Sequence, residues 1–122
     1  MQDDRVSVIF ISRRNSARSI LAQACLCHLG ASRFRAFSCG APLQIESRPH
    51  PLALEALANA RIPAPELHCI GWDKFARSGG SQMDFVINLA DEVADQLPRW
   101  PGQPPTALWS YPDIIMGSRS GS

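Results

Sequence analysis

The chain has 122 residues, of which 45% are hydrophobic and 19% charged, and its formal net charge is +1. A chain of this length and make-up buries about two-thirds of the surface its unfolded form exposes, which excludes disorder or a fibrous repeat as a description of the whole. A near-neutral balance excludes a broad electrostatic footprint for nucleic acid or acidic membranes.

In chain order, Met1-Gln2-Asp3-Asp4 is acidic where a secretory leader is basic, and the apolar run from Val6 to Ile11 is too short for a leader core or a membrane span. A cytoplasmic protein with reduced cysteines is the expectation. Val6-Ser7-Val8-Ile9-Phe10-Ile11 is β-branched and mostly apolar, the pattern of a central strand buried on both faces of a parallel sheet. The polar stretch Ser12 to Ser16 leads into a helix over about residues 17–29, with Ile20, Leu21, Ala24, Cys25 and His28 at helical spacing and Gly30 as the stop. Phe34 to Cys39 reads as a second strand closed by Gly40-Ala41-Pro42. Pro51 to Ala60 reads as a helix with proline in its first turn and Leu54, Leu57 and Ala58 inward.

Pro63 to Ser81 is glycine- and proline-rich loop, with a helical turn around Asp73 to Ala76. Phe85 to Leu89 is a third buried strand, Asp91 to Leu97 a short helix entered through Asp91, and Thr106 to Trp109 a fourth strand after a proline-rich turn. The order predicts a three-layer α/β fold: a four-stranded parallel sheet, doubly wound, with helices on both faces and right-handed crossovers. It forms one domain over residues 1–116, and the linker-like residues 117–122 form a disordered tail. Cys25 and Cys27 point to different sides of their helix, so they read as buried small hydrophobes, and the sequence calls for neither a metal nor a cofactor.

The chemistry is expected beyond the carboxyl end of the first strand, where a loop enters a helix N-terminus whose amides and dipole favour an anion. That loop is Ser12-Arg13-Arg14-Asn15-Ser16-Ala17-Arg18-Ser19. Arg18 can close a bidentate fork on an oxyanion, with Asn15, Ser16 and Ser19 bracing the backbone. The chain's basic residues are almost all arginine, with Lys74 the only lysine, which suits such recognition and equally reflects genome composition. The competing reading of the loop is a solvated basic turn capped by Ser16.

Val8 to Ser19 resembles the phosphate loop of the low-molecular-weight protein tyrosine phosphatases and the related thioredoxin-coupled arsenate reductases, whose pattern is Cys-x5-Arg-Ser with asparagine at the fourth place. Ser38-Cys39-Gly40 is similar to that family's Ser-Ala-Gly after the second strand, and His50-Pro51-Leu52-Ala53 to its Asn-Pro-x-Ala. Asp84-Phe85-Val86-Ile87 with Asp91-Glu92 resembles the third strand and its following loop, and Trp109-Ser110-Tyr111-Pro112-Asp113 the loop that carries the general acid. The resemblance covers residues 6–114 in order. It implies Ser12 at the place of the nucleophile, Arg18 as the oxyanion-binding arginine and Asp113 as the acid, with residues 13–19 around the anion.

The departures decide what that implies for function. Ser12 stands where the family has its nucleophilic cysteine, and no loop charge makes a serine hydroxyl an alkoxide at neutral pH as it makes a thiol a thiolate. Arg13-Arg14 replaces a small residue followed by glycine. Ala90 and Leu97 occupy the region where the reductases carry relay cysteines. Ile114 follows the acid in place of proline, and the family's terminal helix is missing or truncated after Met116. The reading is a phosphatase- or arsenate-reductase-like protein that binds phosphate, arsenate, sulfate or a phosphorylated ligand and is degenerate for cysteine-dependent catalysis. The alternatives are an active enzyme carrying an engineered Cys-to-Ser change, and a phosphocarrier or interaction module on the same fold. His50 and His68 read as loop residues, His28 as polar helix edge, and Trp109 as the one tryptophan positioned to line the site.

Overall fold

The computed structural model describes residues 4–15, 17–45, 48–63, 67–76 and 82–109. Four parallel strands form one sheet in the order β2-β1-β3-β4, with β1 at Val6–Ile11, β2 at Phe34–Cys39, β3 at Phe85–Asn88 and β4 at Thr106–Leu108. Between them lie helices α1 (Arg18–Leu29), α2 (Pro51–Asn59) and α3 (Asp73–Ala76), and a 3₁₀ helix at Asp91–Gln96. The fold is the α/β architecture that the strand and helix order predicts.

β1 is interior, in register with β2 through Ile9↔Phe37 and with β3 through Ile9↔Val86, so both of its faces need apolar cover. Alternation then divides the core in two. Ile9, Ile11, Cys39 and Val86 pack with Trp72, Met83, Val93 and Trp100, joined by Phe75 of α3 and Leu97 after the 3₁₀ helix. On the other face, Val8, Phe10 and Ala36 pack with Ala22 and Leu26 of α1. Asp84 pins the start of the sheet: its carboxylate accepts from Ser7 N at 2.7 Å, and its own N–H donates to Ser7 O at 2.8 Å.

Several local expectations are corrected. The segment after β3 is 3₁₀ rather than α, with Ala90 at its N-cap and no side-chain cap from Asp91. β3 ends at Asn88, and its Phe85 is 46% exposed instead of buried. β4 is exposed along its length because it is the last strand of the sheet. In α2, Ala53 and Leu57 face inward, while Leu54 is 38% exposed and Ala58 is exposed. This helix packs on α1, so an i, i+4 pair is enough to cover the contact. His50 is a helix cap rather than a plain loop residue, its Nδ1 accepting from Leu52 N at 3.1 Å. Cys25 is only partly buried and Cys27 is exposed, because α1 lies over edge strand β2, where no further strand covers the helix flank. The tail 117–122 and the place of a terminal helix lie outside the described residues.

Ile9 is 0% exposed in the interior strand, and Ile9→Ala should cost about 2–5 kcal/mol by lost burial and the cavity left behind. Leu54→Ala should cost under about 1 kcal/mol. Denaturant midpoints at unchanged slope measure both. Equal losses would refute this assignment of inward faces.

Candidate functional site

The loop leaves the sheet at the carboxyl end of β1. Ser12 N donates to Cys39 O at 3.1 Å, the last rung beyond the ladder, and the chain then turns toward α1. Asn15 makes the turn in the left-handed region at φ 51°, which asparagine tolerates better than most residues. Ala41 N donates to Arg13 O at 2.9 Å, drawing the end of β2 against the loop. That approach requires Gly40, since a Cβ there would sit 2.9 Å from both Arg13 O and Asn15 N. The segment around Gly71 closes the other side through Gly40 N to Ile70 O at 2.8 Å and Trp72 N to Gly40 O at 2.9 Å.

The result is a turn rich in backbone donors. Among the described residues, the N–H groups of Arg13, Arg14 and Asn15 donate to no backbone carbonyl. Ala17 caps α1 without a side-chain hydrogen bond, and Leu21 N donates to Ala17 O at 2.8 Å. Ser19 and Ile20 are buried in the first turn of α1, where the amides and the helix dipole favour negative charge. Arg13 Nε is also buried and meets no acceptor among the described residues. Donors collected in this way suit a tetrahedral oxyanion.

The side chains divide into a neutral group and a charged group. Ser12, Asn15 and Ser19, all within 2% of full burial, form a chain in which Asn15 Nδ2 donates to Ser19 Oγ at 2.7 Å and Ser19 Oγ lies 2.7 Å from Ser12 Oγ. Asn15 Oδ1 accepts from Ile70 N at 2.7 Å. Arg18 is anchored at its outer end: Nη1 donates to Leu89 O at 3.1 Å, and Nη2 meets Glu92 Oε2 at 3.0 Å. Partial burial pushes the Glu92 carboxyl up. Its own backbone N–H, the Arg18 hydrogen bond and charge, and the charge of Arg13 outweigh that and hold it below the ordinary value. Behind the loop, burial pushes the Cys39 thiol far above the ordinary range, with the charge of Asp73 adding to it, so this thiol is inert.

Ser12, Arg13, Asn15, Ala17, Arg18 and Ser19 thus come together around one turn, with Arg14 exposed beside them. Ser16 and Asp113 lie outside the described residues. Trp109 is half exposed and lines an apolar groove with Val8, Phe10, Phe85 and Ile87 that contains none of residues 12–19. The groups that residue-by-residue reasoning passed over are Glu92 as the partner of Arg18, the Leu89 carbonyl, and Ile70. Glu92 had a signal in the Asp91-Glu92 pair, which helix-start statistics absorbed. Ile70 contributes a backbone N–H, which leaves no mark in sequence.

Residues 7–107 match the model of the low molecular weight phosphotyrosine protein phosphatases. The chain belongs to this family. No curated protein matches it in sequence. Among solved structures it is similar to a thioredoxin-dependent arsenate reductase of Corynebacterium glutamicum (24% identity, TM-score 0.73, covering 95% of this chain and 55% of that one). It is also similar to an arsenate reductase in the phosphate binding state (27% identity, TM-score 0.75, covering 92% and 81%) and to YfkJ from Bacillus subtilis (21% identity, TM-score 0.58, covering 75% and 60%). The chain thus spans little more than half the length of the Corynebacterium protein.

The lowered Glu92 pKa has a stability consequence. A depressed carboxylate stabilises fully above its unfolded pKa, about 4.3, and that contribution fades as pH falls through the lower folded value. Glu92→Gln should therefore be less stable than the parent at pH 7, with the gap closing below about pH 4. Denaturant unfolding across pH checks this, and a gap that is independent of pH would exclude the ion pair as its origin.

Proposed function

We propose that this family member binds a tetrahedral oxyanion in the Ser12–Ser19 loop, either phosphate, arsenate or sulfate or the phosphoryl group of a larger ligand, and does not turn it over by the cysteine route. The observation that carries this reading is the setting of Ser12. Its hydroxyl stands at the head of the turn, and among the described residues its hydrogen-bond partner is another hydroxyl, Ser19 Oγ, not a base. A serine without a base to take its proton is a weak nucleophile. Cys39, whose carbonyl accepts from Ser12 N, has a sealed and neutral thiol, so it supplies no replacement.

Binding itself needs no nucleophile. The amides at the start of α1 face the site with the dipole behind them, and Arg18 contributes positive charge while its terminal nitrogens stay on Leu89 and Glu92. This orientation supports a fixed arginine that lends charge to the loop, with little conformational entropy left to lose when an anion arrives. A second reading has one observation in its favour: the buried Asn15–Ser19 hydrogen bond braces the turn around position 12. A loop so intact is compatible with an active phosphatase or arsenate reductase that lacks only its thiol.

Calorimetric titration with phosphate, arsenate and sulfate tests binding. Arg18→Ala should weaken it by about 2 kcal/mol through the loss of buried positive charge beside the loop, and unchanged affinity would refute the assignment. Hydrolysis of an aryl phosphate by the parent should stay at the buffer blank. The two readings separate on Ser12→Cys. A thiol beside Arg18 and the helix start should alkylate with a midpoint below the free value of about 8.5. Efficient turnover by that variant would make the serine the only lesion, whereas thiol activation without turnover would support wider loss.

A further inference from the structure

The buried chain Asn15–Ser19–Ser12 has a direction that the hydrogens themselves fix. A backbone N–H only donates, so the Asn15 atom that meets Ile70 N at 2.7 Å is Oδ1, and Nδ2 is turned to Ser19 Oγ. Ser19 is 0% exposed, and its hydroxyl has one hydrogen to place. With Asn15 donating into its oxygen, the acceptor seen for that hydrogen among the described residues is Ser12 Oγ, at 2.7 Å. If Ser12 donated instead, Ser19 would receive two donations and its own hydrogen would be buried without an acceptor, which folded proteins avoid. Ser19 therefore donates to Ser12. The hydrogen left over at the end of the chain is that of Ser12, which is 2% exposed at the head of the donor-lined turn.

Resting on the oxyanion reading above, we infer that Ser12 is a hydrogen-bond donor to the bound oxyanion, the last member of a one-way relay through Asn15 and Ser19, and that the loop selects fully deprotonated tetrahedral dianions, meaning sulfate or a phosphate monoester. A thiolate at this place would be an acceptor carrying negative charge toward the ligand. A hydroxyl aimed outward reverses both properties, and each donation along the relay polarises the next. Among the described residues each nearby side-chain acceptor already receives one donation: Asn15 Oδ1 from Ile70, Ser19 Oγ from Asn15 and Glu92 Oε2 from Arg18. A ligand oxygen that carries a proton thus gains little here, while an oxygen that only accepts meets donors. The surrounding charges act in the same sense. Arg13, Arg14 and Arg18 come from the loop, Glu92 of the 3₁₀ helix is held by Arg18, and Cys39 and Cys69 stand on the segments packed behind, the first of them neutral through burial.

The test is calorimetry on the full chain at pH 7.5 with three probes: sulfate, phenyl phosphate, and perchlorate as a tetrahedral monoanion. Sulfate and phenyl phosphate should bind, and perchlorate should bind at least about 10-fold more weakly. Ser12→Ala should weaken both dianions by about 10- to 100-fold, the effect of losing one donor to a charged acceptor. Ser19→Ala, which keeps the Ser12 hydroxyl and loses only its orientation, should weaken them by less than about 5-fold. Thermal melts confirm that each variant is folded; if Ser12→Ala is not, Ser12→Gly, which also removes the hydroxyl, should show the same loss. Parental affinity in the folded position-12 variant overturns the donor role and leaves the oxyanion reading standing. Perchlorate binding as tightly as sulfate overturns the dianion selection, and a Ser19→Ala loss equal to that of Ser12→Ala overturns the direction of the relay. A parent that binds none of the three overturns the oxyanion reading, and the inference with it.

Discussion

Asn15 is a fully buried amide that ties together three stretches far apart in sequence: its own loop, the first turn of α1 through Ser19, and the segment before Gly71 through the Ile70 N–H. A buried amide with its oxygen or nitrogen unmatched is costly, so the loop, the helix and the strap around Gly71 hold their arrangement together or lose it together. Its left-handed backbone is tolerable in an asparagine and turns the neighbouring N–H groups outward. The close approach at Gly40 is the complementary condition, because any side chain there would push the end of β2 off Arg13 and Asn15.

The charged half of the site follows a different logic. Arg18 is largely buried, and an unpaired guanidinium in that position would be expensive to desolvate. The Leu89 carbonyl and Glu92 meet this need from beyond the carboxyl end of β3, on the far side of β1 from the Gly40 contact. The loop is thus gripped by both neighbours of the central strand, through neutral hydrogen bonds on one side and an ion pair on the other. Arg13 reinforces the charged side through its effect on Glu92. Because Asn15, Ser19, Arg18 and Glu92 each have a fixed partner, the turn is organised by the chain's own contacts.

The two faces of the sheet are covered unequally. One carries the larger buried cluster, built on Trp72, Met83 and Trp100, while α1 covers the other over β1 and β2. Toward β3 and β4 that second face leaves Phe85 and Trp109 about half exposed around a groove of about 540 Å³. This uneven cover among the described residues explains why strand periodicity overestimated the burial of Phe85 in β3: a buried-strand pattern records apolar side chains but not whether a helix lies over them.

The sequence by itself determined the strand and helix order, the parallel sheet, and the placement of a basic turn at the carboxyl end of β1. Those features rest on local propensity, apolar periodicity and the general rule that ligands sit at strand carboxyl ends. The motifs from Ser12 to Ser19 and onward along residues 6–114 also carry the family resemblance. Only the tertiary structure decided that Glu92 and the Leu89 carbonyl anchor Arg18, that Ile70 orients Asn15, and that Ala53 rather than Leu54 faces inward. The physical reason is separation along the chain. Arg18 and Leu89 are 71 residues apart and Asn15 and Ile70 are 55 apart, and two of these anchoring groups belong to the backbone, which is the same for every residue type. A pattern of side chains records what a residue can do; which distant amide or carbonyl completes it is settled only when the sheet brings the strands together.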